Sequence, residues 1–287
     1  MPILAEFPPV FLIVVAVLLG LVLGSFLNVV IYRLPRGESI AFPGSHCTAC
    51  ASPIRARDNV PLLGWLLLRG RARCCGAKIS PRYPLVELLG GLAAWAVMDR
   101  LVLGLPGETS VARALFLFSL YLALVLGLIA LALIDIEYMI LPDEITLPGI
   151  ALGLITAYFR PGPGLIQAAL GAAAGFLVVW LPFDVLYRKL RGVAGMGLGD
   201  AKLLALSGAW FGWVGATFTL LSGAVQATVV TLLLLVLHGR IEEPEKVTLE
   251  REELRALLEA AEGEERAELE RELALDPLAQ APEPGLG

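Results

Sequence analysis

No charged residue interrupts the chain between Val10 and Ile31, and comparable apolar runs recur until His238. A spanning helix needs about 20 apolar residues, because lipid offers the backbone no hydrogen-bond partners. Such runs fall at roughly 10–31, 84–104, 113–134, 145–159 and 165–186, and 201–237 is too long for one crossing. That last stretch is read as two short spans with a turn near Gly212–Gly215. The chain is 57% hydrophobic and 17% charged with mean hydropathy +0.77, against about 45–50% and 25% for soluble domains. The expected fold class is therefore an all-α polytopic membrane protein of about seven transmembrane helices. The first run is too long for a secretory h-region, and no cation precedes it, so it reads as a retained anchor.

Lys and Arg set the orientation. The loop 32–83 carries Arg33, Arg36, Arg55, Arg57, Arg69, Arg71, Arg73, Lys78 and Arg82 against Glu38 and Asp58, and Arg188, Lys189 and Arg191 follow the fifth span. Both segments are expected in the cytoplasm, four crossings apart, with the N-terminus outward and the tail inward. The organisation is then a first anchor at 1–31, a cytoplasmic cysteine loop at 32–83, a transmembrane core at 84–240 and an acidic tail at 241–287. In the tail, Thr248 suits a helix cap, Leu254, Leu257, Leu258 and Ala261 form an apolar stripe, and a second short helix at about 264–274 precedes a Pro-rich disordered end. It reads as a solvated appendage, with a partner-docking helix as the alternative. The net charge of −5 comes from this tail, and no basic aromatic platform for nucleic acid is present.

Two aspartates stand where spans end. Asp135 closes the third span, at the negative end of its helix dipole where an acid is disfavoured. Asp200 opens the sixth, behind Gly195, Gly197 and Gly199. By the charge-derived topology both lie at the cytoplasmic membrane boundary. Two carboxylates brought together in low dielectric share one proton and so supply a base and an acid at one pH. Glycines would let an extended peptide lie beside them. Other acids have plainer readings. Asp143 and Glu144 suit a helix start, and Asp184 pairs with Arg188 at i,i+4. Glu137 either lines the site or faces head groups, and Asp200 alone would serve as a helix cap. Asn28 and Glu87 are polar groups at span edges that would serve equally as interfacial anchors.

All four cysteines lie in the loop. Cys47 and Cys50 have zinc-knuckle spacing, whereas Cys74 and Cys75 are adjacent, and position 72, where a knuckle partner of Cys75 belongs, is Ala. A structural zinc on Cys47, Cys50, Cys75 and Cys74 would staple a loop too small for its own core, with His46 as a replacement fourth ligand. Idle thiols are the plainer reading.

Together these residues resemble the type IV prepilin peptidases. The resemblance runs through GSFLNVVIYRLPRGESI (24–40), DNVPLLGWLLLRG (58–70), ISPRYPLVE (79–87), LIDIEYMILPD (133–143) and GMGLGDAKLL (195–204). It implies an intramembrane aspartic peptidase of the GxGD class in the bacterial inner membrane. Such an enzyme removes a basic leader from prepilin or pseudopilin substrates after a glycine, on the cytoplasmic side. It also implies methylation of the new N-terminus with S-adenosylmethionine. The family's catalytic aspartates map to Asp135 and Asp200, with no metal at that pair, and Asp143 is not catalytic by this mapping. The cysteine loop is associated with methylation and metal binding. Two departures stand out: Ala72 breaks the usual second C-x-x-C, and the sequence reaches Gly287 without the family's final Pro-Phe-Gly-Pro span, which the resemblance would make a shortened chain. No soluble stretch holds a Rossmann methyltransferase, so a cofactor pocket would be shared between the loop and helix ends. The rival readings are an ion-coupled transporter, which should place its acids near the midplane of repeated halves, and a non-catalytic assembly factor.

Overall fold

The computed structural model describes residues 2–191 and 197–238, and beyond them only residues 256–258, 261, 263 and 266. The expected tail helices therefore lie mostly outside the described residues, as does Gly195. The described residues are helical, with isolated β-bridges but no strand. They form two compact units, Met1–Gly149 and Ile150–Gly287, whose boundary falls within one helix. Four segments are long and apolar enough to cross a membrane: Pro9–Arg36, Val111–Tyr138, Leu165–Leu190 and Leu198–Leu237.

In the first unit, α1 (Pro9–Arg33) begins at a proline, whose missing N–H costs nothing in the first turn. After the cysteine loop and the short α2 (Leu63–Leu67) comes α3 (Arg82–Val97), which continues as a π-helical turn over Met98–Val102. The α1–α3 contact is built on small residues. A Cβ at Gly20 would lie 2.4 Å from the Gly90 carbonyl, and one at Gly24 would lie 2.9 Å from the Glu87 Cα. Backbones this close gain dispersion contact that bulkier residues would forbid. The next helix, α4 (Val111–Tyr138), is capped by Ser110, whose hydroxyl accepts from the Arg113 N–H, and ends at Met139 in the left-handed conformation. The buried core of the unit joins these helices through Ile31, Val86, Ala94, Phe118 and Ile134.

The chain then forms α5 (Asp143–Ile155), followed by a 3₁₀ turn to Tyr158. In the second unit, α6 (Leu165–Val179) passes through a π-helical stretch over Trp180–Leu186 into α7 (Tyr187–Arg191). The Asp184–Arg188 pair expected from its spacing is formed there, at 2.5 Å. Finally α8 (Leu198–His238) is broken at Gly212, where φ is 68° and ψ −165°. The Ser207 and Thr219 hydroxyls, 12 residues apart, lie 2.7 Å from each other. A straight helix would separate those residues by about 18 Å, so the chain folds back at Gly212, where the sequence places its turn. The α6 glycines receive both arms. A Cβ at Gly175 would meet the Leu204 carbonyl at 2.5 Å and the Ala216 Cβ at 3.2 Å.

The break strips the first arm's last carbonyls of their i+4 donors. Arg160 replaces them: its Nη1 donates to the Trp210 carbonyl at 2.6 Å, and its Nη2 to the Ala209 and Gly153 carbonyls at 2.7 and 3.2 Å. The side chain is only 5% exposed.

Candidate functional site

Asp135 sits on the exposed side of the last turn of α4, next to fully buried Ile134. Its carbonyl accepts the Met139 N–H that closes the helix, at 2.8 Å. The helix end is fixed by neighbours that sequence reasoning had counted only as loop charge. Arg82 of α3 binds Glu137 at 2.6 Å. Arg36 lies over the Tyr32 ring at 3.9 Å and 5.3 Å from the Tyr138 ring. Glu137 is therefore an ion-pair partner bridging α4 to α3. The signal was available in the opposite charges of ISPRYP and LIDIEY.

Asp200 is the third residue of α8, half-buried, with its N–H donating to the Gly197 carbonyl at 3.2 Å. This first-turn position favours an anion through the helix dipole. A Cβ at Gly197 would lie 3.7 Å from the Asp200 carboxylate, in ordinary contact, so the glycine stands beside the acid. Gly199 precedes Asp200 within the helix. Asp143 and Glu144 open α5, as a helix-start reading requires.

The cysteine loop brings its four sulfurs within 4.8 Å of one another. It does so with two similar hairpins. In one, Cys47 donates its N–H to Ser52 O and accepts from the Ala51 N–H; in the other, Ala72 donates to Ala77 O and accepts from the Gly76 N–H. Ala51 and Gly76 both have positive φ, 58° and 73°. The pattern matches Cys47 with Ala72 and Cys50 with Cys75. Ala72 thus occupies a ligand position, and the sulfur it lacks comes from Cys74. Although adjacent, Cys74 and Cys75 both turn into the group: their sulfurs are 3.9 Å apart, those of Cys47 and Cys75 3.7 Å, and those of Cys50 and Cys74 3.3 Å. A tetrahedron with Zn–S of about 2.3 Å has edges of about 3.8 Å, so the donor set fits zinc. His46 stays outside the group, with its Nδ1 against the Gly44 carbonyl at 3.1 Å.

The thiols are electrostatically unequal. Hydrogen bonds from the Ser52 side chain and backbone, then from Cys74, lower Cys50 to about 6. Cys74, which shares its proton with Cys50, is pushed up to about 12. Cys47 is lowered as well, by backbone hydrogen bonds from Ala49 and Cys50. The second hairpin is tied down by Arg73, which binds both Asp58 oxygens at 2.9–3.1 Å and holds that carboxyl below its usual range.

Asn28 and Glu87 are not simple interfacial anchors. Asn28 is buried and donates to the Tyr83 carbonyl at 3.2 Å, linking α1 to α3. Glu87 accepts the Leu62 N–H at 2.7 Å, and Leu62 has φ 59° and ψ −50°, a conformation L-residues rarely adopt. A charge-assisted bond thus pins a strained loop residue against α3.

Spanning helices, carboxylates at helix ends and a thiol cluster on a small loop together define a multi-pass helical membrane protein with the parts of a membrane enzyme. The Bacterial Peptidase A24 N-terminal domain matches residues 18–101, and the Type IV leader peptidase family matches residues 122–232. A "Prepilin leader peptidase/N-methyltransferase" from Klebsiella pneumoniae is 44% identical over 214 residues, 72% of this chain and 89% of that protein. Proteins of the same description from Pseudomonas putida and Dickeya chrysanthemi are each 40% identical, over 79% and 81% of this chain and 82% and 86% of their own. No solved structure matches. The chain belongs to the type IV leader peptidase family.

Proposed function

We propose that the chain is an intramembrane aspartic endopeptidase that cleaves prepilin leaders after a glycine at the cytoplasmic face, with Asp135 and Asp200 as its catalytic pair. The carrying observation is the leader-peptidase family match over 122–232, which contains both acids at the helix ends. Seven spans are assigned: α1, α3 with its π turn, α4, α5 with its 3₁₀ turn, α6 through α7, and the two arms of α8. The fold-back at Gly212 supports the last two, and the basic loop 32–83 supports an outward N-terminus in the bacterial inner membrane.

In this reading the prepilin helix docks among the spans with its leader in the cytoplasm. The ionised acid of the pair takes a proton from water, and the resulting nucleophile attacks the carbonyl of the leader's last residue, the glycine. The protonated acid donates to the developing oxyanion, then delivers its proton to the departing amine. Gly197 and Gly199 would admit the peptide backbone beside Asp200. Cys47, Cys50, Cys74 and Cys75 would hold a zinc ion that fastens the two hairpins together, a structural role remote from the carboxylates' proton chemistry.

N-methylation of the new terminus follows from the family. S-adenosylmethionine would supply the methyl group, but two concavities of the loop do not fit it. One, of about 540 Å³, is lined by Arg69, Arg71 and Lys78 with no carboxylate, a poor host for a cationic sulfonium and ammonium. The other, of about 200 Å³, has its single acid, Asp58, engaged by Arg73. No step is therefore routed through the cofactor. Incubating the purified chain with a purified prepilin in detergent tests the peptidase reading. Leader release is expected, whereas a transporter or an assembly factor would leave the leader attached.

A further inference from the structure

The basic loop does more than report orientation. Its α2 shows three leucines to the outside: Leu63, Leu66 and Leu67 are 56%, 60% and 79% exposed. Contacts already described tie them to the spanning helices. Leu62, immediately before α2, is held by Glu87, and the Glu87 Cα lies against Gly24 of α1. Gly24 is seven residues, or about 10 Å, inside the end of the apolar run at Ile31. An interfacial helix sits about 5–10 Å into the boundary between head groups and acyl chains. The exposed leucines of α2 are thus tethered within about one side-chain length of a contact inside the apolar run, within reach of the bilayer boundary.

A cationic concavity adjoins them. Trp65 of α2 donates its indole N–H to the Ile79 carbonyl at 3.1 Å and packs beneath Gly70, making α2 and the second hairpin one piece. Between them lies the 540 Å³ hollow, lined by Trp65, Arg69, Arg71, Lys78 and Ser80 among others. The Arg71–Lys78 bridge sets two of its cations opposite each other across the hairpin. Among the described residues none of the three cations makes an ion pair, in contrast with Arg73 and Arg82, which do.

We infer that this surface is a docking site for an anionic phospholipid: the α2 leucines enter the acyl region while Arg69, Arg71 and Lys78 hold the phosphate. Basic leaders would be repelled here, and zwitterionic lipid lacks the matching net charge. The inference rests on the membrane placement given above but not on the identity of the catalytic acids.

The test is titration of phosphatidylglycerol, and separately phosphatidylcholine, into the full chain in detergent, read by native mass spectrometry. The chain is expected to prefer phosphatidylglycerol, and R69Q/R71Q/K78Q to bind it about 100-fold more weakly, since each surface cation contributes about one increment of electrostatic attraction. R69K/R71K should keep the preference. Equal binding of the two lipids by the unaltered chain overturns the site without recourse to any variant. So does undiminished phosphatidylglycerol binding by R69Q/R71Q/K78Q. Displacement of the lipid by millimolar inorganic phosphate, or by S-adenosylmethionine, would show a free-anion or cofactor site and also overturns it. Prepilin cleavage is read in parallel: cleavage without lipid preference sinks this inference alone, and lipid preference without cleavage sinks the peptidase reading alone.

Discussion

Removing the Cys74 sulfur should leave the loop with three thiols, because Ala72 cannot supply a fourth. C74S is therefore expected to lose bound zinc, measured by elemental mass spectrometry after dialysis. A72C/C74S should regain it, since Ala72 stands where Cys47 stands in the first hairpin. Failure of the double variant to regain zinc would contradict that equivalence. The spacing of Cys47 and Cys50 was legible in the sequence; the use of adjacent cysteines was not, because it depends on how two hairpins face each other. Glu87 offers a second residue-scale check. E87A should free Leu62 from its strained conformation and cost about 1.5–3 kcal/mol of local stability, seen as faster hydrogen exchange across residues 60–68. Unchanged exchange would mean the bond does not hold the loop.

At the scale of elements, the second unit depends on the fold-back of α8. R160A would leave the Ala209 and Trp210 carbonyls without their donor in a buried setting. A loss of at least about 3 kcal/mol is expected, read as a lowered apparent unfolding midpoint in detergent by tryptophan fluorescence; an unchanged midpoint would contradict the role. G208A should also destabilise, by about 1–3 kcal/mol, because its Cβ would lie 2.1 Å from the Gly171 carbonyl. G223A is the control, with nothing within 4 Å of its Cβ. Apolar run length gave away the helices and even the turn at Gly212. Arg160 was not legible, since a lone arginine after a span looks like an ordinary interfacial charge. Only the broken carbonyl ladder reveals its purpose. For the Arg82–Glu137 pair only the opposite charges were legible; the two residues are 55 positions apart and meet once α3 and α4 are packed.

For the whole molecule, the proposed function makes the helix-end acids Asp135 and Asp200 one catalytic unit. The acids were legible because a carboxylate directly after an apolar run needs a reason. Their partnership was an expectation drawn from the proton-sharing argument and the family resemblance, and it stands as a proposal because it depends on tertiary arrangement rather than on local pattern. Mass spectrometry of a prepilin produced alongside the unaltered chain, D135N, D200N or D135N/D200N tests that partnership most directly. If the two acids act as one unit, each single variant should lose at least about 100-fold in cleavage, the double variant should be no worse than either, and only the unaltered chain should yield pilin without its leader. Efficient leader removal by either single variant would contradict the account.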